Sequence, residues 1–167
     1  LLSAQFATYA KKHSLPSRLR RACTRLEQHA IEQPDLLKNP ELPPWIATTD
    51  RASAHRRREL ERAGARVIPL PSTPNGWVDL PPLLDCLAGE GIKSIMVEGG
   101  PRVITSFLAE RSVDHLVLTV APVVVGGLRA VGDLESLGVQ RPRLLNMGYQ
   151  RLGDDLVVWG DPDWSEE

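Results

Sequence analysis

The sequence predicts an α/β fold: a mixed sheet, parallel in its body and covered by helices on both faces, with an antiparallel hairpin at one edge. Three observations predict it. From Pro44 onward, short runs rich in β-branched residues alternate with capped helical segments. Such alternation implies parallel crossovers. Three strand–helix pairs succeed one another at a spacing that leaves the sheet covered on both faces. The tail then changes character, with two apolar runs flanking Leu152-Gly153-Asp154-Asp155, the pattern of an antiparallel hairpin.

The elements follow in order. "WIATT" (45–49) reads as a strand. The helix "ASAHRRRELERAGA" follows, with Asp50 or Ser53 able to cap it and Gly64 marking its end. "RVIPLP" is the second strand, stopped by Pro69 and Pro71, and "STPNGW" carries an Asn-Gly turn. "VDLPPLLDCLAGEG" is a helix with Asp79 at its N-cap, prolines in its first turn and an end at Gly89 or Gly91. "KSIMVEGG" reads as the third strand. "PRVITSFLAERS" is the third helix, with Pro101 in its first turn and an apolar stripe of Val103, Ile104, Phe107 and Leu108. "VDHLVLTVAPVVVGG" reads as one long strand.

Residues 1–43 carry helix formers, with Leu15, Leu19, Ala22 and Leu26 at helical spacing, then a proline-rich connector from Gln33 to Pro44 and no clear strand. Arg18, Arg20, Arg21 and Arg25 read as a solvated face. The division is therefore 1–43, then an α/β domain over 44–161, then an acidic, frayed tail over 162–167. The first residue is Leu1, not Met, and is read as a cut end.

Bulk properties narrow the function classes. The chain has 167 residues, 42% hydrophobic and 25% charged, with a net charge of −1. That balance gives no sign of a nucleic-acid or acidic-lipid surface. The apolar runs fall well short of the roughly 20 residues a membrane helix needs, so a soluble, cytoplasmic protein is expected. Cys23 and Cys86 are read as reduced thiols. The four histidines lack metal-ligand spacing, so no metal site is expected.

Chemistry concentrates at strand ends. In an open α/β sheet, ligands bind beyond the carboxyl ends of the strands. Glu98-Gly99-Gly100 stands where the third strand hands over to a helix beginning near Pro101. A helix N-terminus offers donors and partial positive charge to an anion, and two glycines let a phosphate approach the backbone. The competing reading is a tight turn that needs positive φ. A second pair, Gly126-Gly127, also follows an apolar run. The end of the first strand supplies Thr48, Thr49 and Arg51. An arginine there suits a ribose 2′-phosphate through a bidentate contact, while Thr49 or Asp50 also fits a helix cap. Asp114 fits a strand start, and His115 a surface or interface position.

Together these motifs resemble the riboflavin-biosynthesis reductases. Glu98-Gly99-Gly100, Val113-Asp114-His115-Leu116, Ala121-Pro122 and Gly126-Gly127 stand in that family's order and spacing. The segment from Pro43 to Pro71 resembles the preceding strand–helix–strand, so the likeness covers Pro43 to Asp161. The resemblance implies a dihydrofolate-reductase-like fold, a homodimer and NADPH as cofactor. It implies reduction of a phosphoribosylaminopyrimidine to its ribityl form, by hydride delivery to the sugar C1. It places Thr48, Thr49, Glu98, Gly99 and Gly100 at the cofactor and assigns no catalytic residue; read by their own chemistry, Arg51 and Pro101 join the cofactor set. The family's opening motifs, including Ser-x-Asp-Gly-(Arg/Lys)-Ile, are not found in residues 1–43, so the fold is expected to be incomplete at the N-terminus. The alternative is a catalytically impaired module of the same fold that binds NADP or dimerises. A reductase of another pyrimidine or pterin-like compound is a third reading.

Overall fold

The computed structural model describes residues 43–124 and 130–165, together with the backbone of two short strands at 6–8 and 22–23. The chain forms two compact units, one of residues 14–93 and one of residues 1–13 and 94–167.

The first unit carries a parallel sheet in the order β2-β3-β4. The strands are β2 (Ala22–Cys23), β3 (Trp45–Thr49) and β4 (Arg66–Leu70). Ile46 pairs with Val67 and Thr48 with Pro69. Pro69 is tolerated because β4 ends the sheet, where a missing ladder donor costs least. Helix α1 (Ala54–Arg62) connects β3 to β4. Of the two caps considered, Ser53 is the one used: its hydroxyl accepts from the Arg56 amide at 3.2 Å. The helix buries only Leu60, which packs with Ile46, Ala65 and Val67. Gly64, at φ 96°, turns the chain into β4. Helix α2 (Leu80–Gly89) buries Leu80, Leu83 and Leu87. At the end of this unit the guanidinium of Arg66 lies 4.2 Å above the ring centroid of the buried Trp45 and pairs with Glu90. The Glu90 carboxylate holds the Arg66 guanidinium above its ordinary pKa.

The second unit carries an antiparallel sheet in the order β1-β5-β7-β6. Its strands are β1 (Phe6–Thr8), β5 (Leu116–Val120), β6 (Arg143–Leu152) and β7 (Asp155–Asp163). β6 and β7 form the expected hairpin through Gly153, at φ 63°. Helix α3 (Pro101–Ala109) buries Ile104, Phe107 and Leu108, while Val103 is half-buried. Val97, Val113 and Leu134 are buried in the same unit.

Four expectations are corrected. Residues 94–97 form no strand among the described residues: Met96 makes a single β-bridge, and its neighbours have no regular structure. β5 stops at Val120 instead of running on, since Pro122 offers no ladder donor and Val123 and Val124 are exposed. Two short strands stand in the region read as strandless, one of them on Ala22 and Cys23 within the helical spacing. The frayed tail begins later than Pro162: Asp161, Pro162 and Asp163 pair with Leu145, Leu144 and Arg143. The remaining expectations for residues 1–42, and those for Gly126-Gly127 and the last two glutamates, lie outside the described residues.

Candidate functional site

The expected site residues fall into two groups, one in each unit. At the C-terminal end of β3, Thr48 is only 3% exposed, yet its hydroxyl has no hydrogen-bond partner among the described residues. A buried hydroxyl left in that state is costly. Beyond it the Asp50 amide extends the ladder to Leu70 O at 3.1 Å, and the Ala52 amide closes a turn on Thr49 O at 3.1 Å. This turn presents Arg51 to solvent. Its guanidinium lies against the Asn75-Gly76 turn, where a Cβ on Gly76 would stand 3.2 Å from Nη1. Gly76, at φ 80°, is thus the residue that turn geometry and the arginine both favour. Arg51 makes no ion pair or hydrogen bond among the described residues.

In the other unit, Glu98, Gly99 and Gly100 are exposed and lead into α3, with Pro101 at its first position. Gly100 is the N-cap with φ −72° and ψ 169°. Neither glycine has positive φ. Among the described residues, a Cβ on Gly100 would meet nothing within 4 Å, and one on Gly99 would make an ordinary 3.4 Å contact with Val103. The tight-turn explanation of the pair is therefore wrong: the backbone asks for glycine at neither position.

The donors differ from those expected of a plain helix start. Pro101 has no N–H, and the amides of Val103 and Ile104 both donate to Gly100 O, at 3.1 and 3.3 Å. The amides of Gly99 and Gly100 make no hydrogen bond among the described residues, so the turn itself supplies donors. Glu98 likewise has no partner there, leaving its carboxylate available to accept from hydroxyls.

Two polar clusters were not legible in the sequence. Thr105 on α3 donates its hydroxyl to Pro101 O at 2.5 Å and accepts the Gly132 amide at 2.7 Å. His115 Nδ1 lies 2.6 Å from Asp161 Oδ1, and Asn146 donates to Asp161 Oδ2 at 2.9 Å. Both join residues far apart in the chain, and no local motif announces either. A shallow depression of about 270 Å³ between α1 and β4, lined by Arg57, Arg58, Glu61 and Val67 among others, contains none of the expected site residues.

Solved structures share this architecture. A pyrimidine reductase-like protein from Corynebacterium diphtheriae matches with a TM-score of 0.59 at 24% identity, over 76% of this chain and 54% of that one. The riboflavin biosynthesis reductase of Saccharomyces cerevisiae matches with a TM-score of 0.59 at 20% identity, over 85% of this chain and 63% of that one. The fold is the mixed α/β, dihydrofolate-reductase-like architecture. Within that class the chain belongs to the RibD C-terminal domain family, whose model matches residues 14–158. It is 41% identical over 93 residues to a 2,5-diamino-6-ribosylamino-4(3H)-pyrimidinone 5′-phosphate reductase of Aquifex aeolicus, covering 56% of this chain and 40% of that protein. It is 35% identical over 127 residues to the riboflavin biosynthesis protein RibD of the same organism, covering 72% of this chain and 33% of that protein. The chain thus spans two fifths or less of the length of these two curated relatives. No helix among the described residues is long and apolar enough to cross a membrane.

Proposed function

We propose that the chain is a cytoplasmic, NADPH-dependent reductase of riboflavin biosynthesis. Its substrate is 2,5-diamino-6-ribosylamino-4(3H)-pyrimidinone 5′-phosphate or the deaminated 5-amino-6-(5-phosphoribosylamino)uracil, whose ribose becomes a ribityl chain. Family membership and the activity for which the Aquifex aeolicus relative is named support this reading. The single observation that carries it in this chain is Gly100: a glycine with ordinary φ, nothing within 4 Å of its missing Cβ, and a helix start behind it.

When bound, the cofactor supplies the hydride. The chain's own residues bind and orient it. The Gly99 and Gly100 amides and the N-terminus of α3 favour the pyrophosphate. Glu98 accepts from ribose hydroxyls and, being exposed, can face away from the phosphates. The strand end at Thr48 and Thr49 is offered to the adenosine end, and the exposed Arg51 guanidinium, without an ion pair among the described residues, selects the 2′-phosphate of NADPH over NADH. The phosphate also meets a charge that no carboxylate among the described residues already neutralises.

We also propose that the chain works as a homodimer. β6 stands at the edge of its sheet. It exposes Leu145 (50%), Met147 (62%) and Tyr149 (80%). An open apolar edge is suited to a second copy related by a two-fold axis. The dimerisation face also favours a second reading, in which the chain binds NADP and dimerises without turnover.

The deciding experiment follows reduced-nicotinamide absorbance with purified chain, NADPH and the ribosylaminopyrimidine phosphate. Steady, substrate-dependent NADPH oxidation that yields the ribityl product is the expected result. Saturable NADPH binding without oxidation would favour the non-catalytic module, and no binding would remove both readings.

A further inference from the structure

We infer that Thr105 is a positioning residue for the Glu98–Pro101 turn, tying that turn to the segment around Gly132 through one hydroxyl. The inference rests on the proposed cofactor reading of the turn.

The Thr105 hydroxyl is used twice. It donates to Pro101 O at 2.5 Å, fixing the Pro101–Arg102 peptide at the start of α3, one peptide beyond Gly100–Pro101. It accepts the Gly132 amide at 2.7 Å, across 27 residues of sequence. Linked hydrogen bonds of this kind polarise and support one another. The approach is close from both sides: a Cβ on Gly132 would stand 3.1 Å from Thr105 Oγ1 and 3.2 Å from its Cγ2. A side chain at 132 would therefore press on Thr105 through contact and not through φ.

The segment beyond Gly132 is itself anchored. Leu134 is buried. Asp133 accepts from the Ser136 amide at 3.3 Å, and its carbonyl from the Ser136 hydroxyl at 2.8 Å. A short 3₁₀ turn (Glu135–Leu137) follows and ends on Gly138 at φ 71°. Gly132 thus connects an ordered segment to the first turn of α3. A shift of either side moves the Pro101–Arg102 peptide and is passed through Pro101 to the Gly99-Gly100 turn that precedes it. A serine in place of Thr105 keeps both hydrogen bonds, whereas a valine keeps the shape and loses both.

The test uses the full chain. Dissociation constants for NADPH are measured by tryptophan fluorescence quenching for the unaltered protein, Thr105→Val, Thr105→Ser, Gly132→Ala and the Thr105→Val/Gly132→Ala double variant. Hydrogen exchange at the Gly132 amide is read without cofactor. Thr105→Val is expected to weaken NADPH binding about tenfold and to speed exchange at Gly132, as a donor deprived of its acceptor should. Thr105→Ser should stay within about twofold of the unaltered protein, because the hydroxyl chain survives. Gly132→Ala should reproduce the loss, and the double variant should be no worse than either single one, since both break the same contact. If Thr105→Val does not fold, Gly132→Ala reads the same contact with α3 unaltered. Unchanged NADPH affinity in Thr105→Val and Gly132→Ala, or failure of Thr105→Ser to preserve it, would overturn this inference alone. No saturable binding by the unaltered chain would overturn the cofactor reading, and this inference with it.

Discussion

Gly148 passes directly against the indole of Trp159, its partner across the β6–β7 ladder: a Cβ there would lie 2.5 Å from Cε2 and Cζ2 of the ring. The aromatic side chain covers the bare backbone of an edge-strand glycine. The same stretch of β6 shifts register between Leu145 and Gly148, with Asn146 at φ 50°.

Gly148→Ala therefore overpacks this site. Forcing the indole aside costs about 1–3 kcal/mol. For a chain of this size, that predicts a fall in Tm of about 3–10 °C. Differential scanning calorimetry checks it. A Tm equal to that of the unaltered protein would show that the ring moves freely.

Arg111 predicts the opposite sign. It follows α3 with φ 51°, and its amide donates to Leu108 O while Ser112 donates to Phe107 O. Helices that end this way favour glycine, because a side chain in the left-handed region costs energy. Arg111→Gly should raise stability by up to about 1 kcal/mol, the cost being offset in part by a more flexible unfolded chain. Denaturant unfolding measures this as a higher midpoint with an unchanged slope.

The pH dependence at the end of β7 has a definite sign. The Ser165 hydroxyl donates to Asp163 Oδ2 at 2.6 Å and its amide to Oδ1 at 3.1 Å. These bonds, the hydroxyl's first, hold the Asp163 carboxyl below its ordinary value, with Arg143 assisting. A carboxylate depressed in the folded state stabilises fully above its unfolded pKa, about 4. That contribution is lost as pH falls through the lower folded value. Ser165→Ala should lower Tm slightly at neutral pH, and the difference should shrink below about pH 4. The effect is small because water screens the group. A difference that grows on acidification would contradict the assignment.

Gly100 separates stability from binding. With φ −72° and open space at its Cβ, Gly100→Ala should change stability by less than about 1 kcal/mol, the size of an N-cap preference. On the proposed reading, in which this turn holds the pyrophosphate, NADPH affinity should nevertheless fall because the added methyl crowds the phosphates. Paired thermal melts and fluorescence titrations check it. A large loss of stability would instead make the glycine a requirement of the fold.

The elements between Trp45 and Gly89 were readable because their signals are local. Ser53, Gly64 and the prolines at 81 and 82 each act within a turn or two of where they stand, and Asp79 holds the N-cap position although its side chain makes no capping hydrogen bond. The hairpin was readable for the same reason, through Gly153. The apolar run at 94–97 misled because its composition states burial, and Val97 is buried, whereas strand status depends on a partner elsewhere in the chain. β5 was read too long because Val123 and Val124 are apolar yet exposed. In the candidate site, the strand-end position of Thr48 and the helix-start position of Gly100 follow from local patterns. The Thr105–Gly132 contact and the Asn146–Asp161–His115 cluster do not, since each is made only when distant segments pack.

The most direct measurement of the central claim is a calorimetric titration of the unaltered chain with NADPH and with NADH, repeated on Arg51→Ala. We predict saturable binding of NADPH, weaker binding of NADH, and a loss of about 10- to 100-fold in NADPH affinity in Arg51→Ala, the size of a charge-assisted contact, with NADH little changed. Absence of saturable NADPH binding by the unaltered chain would contradict the account.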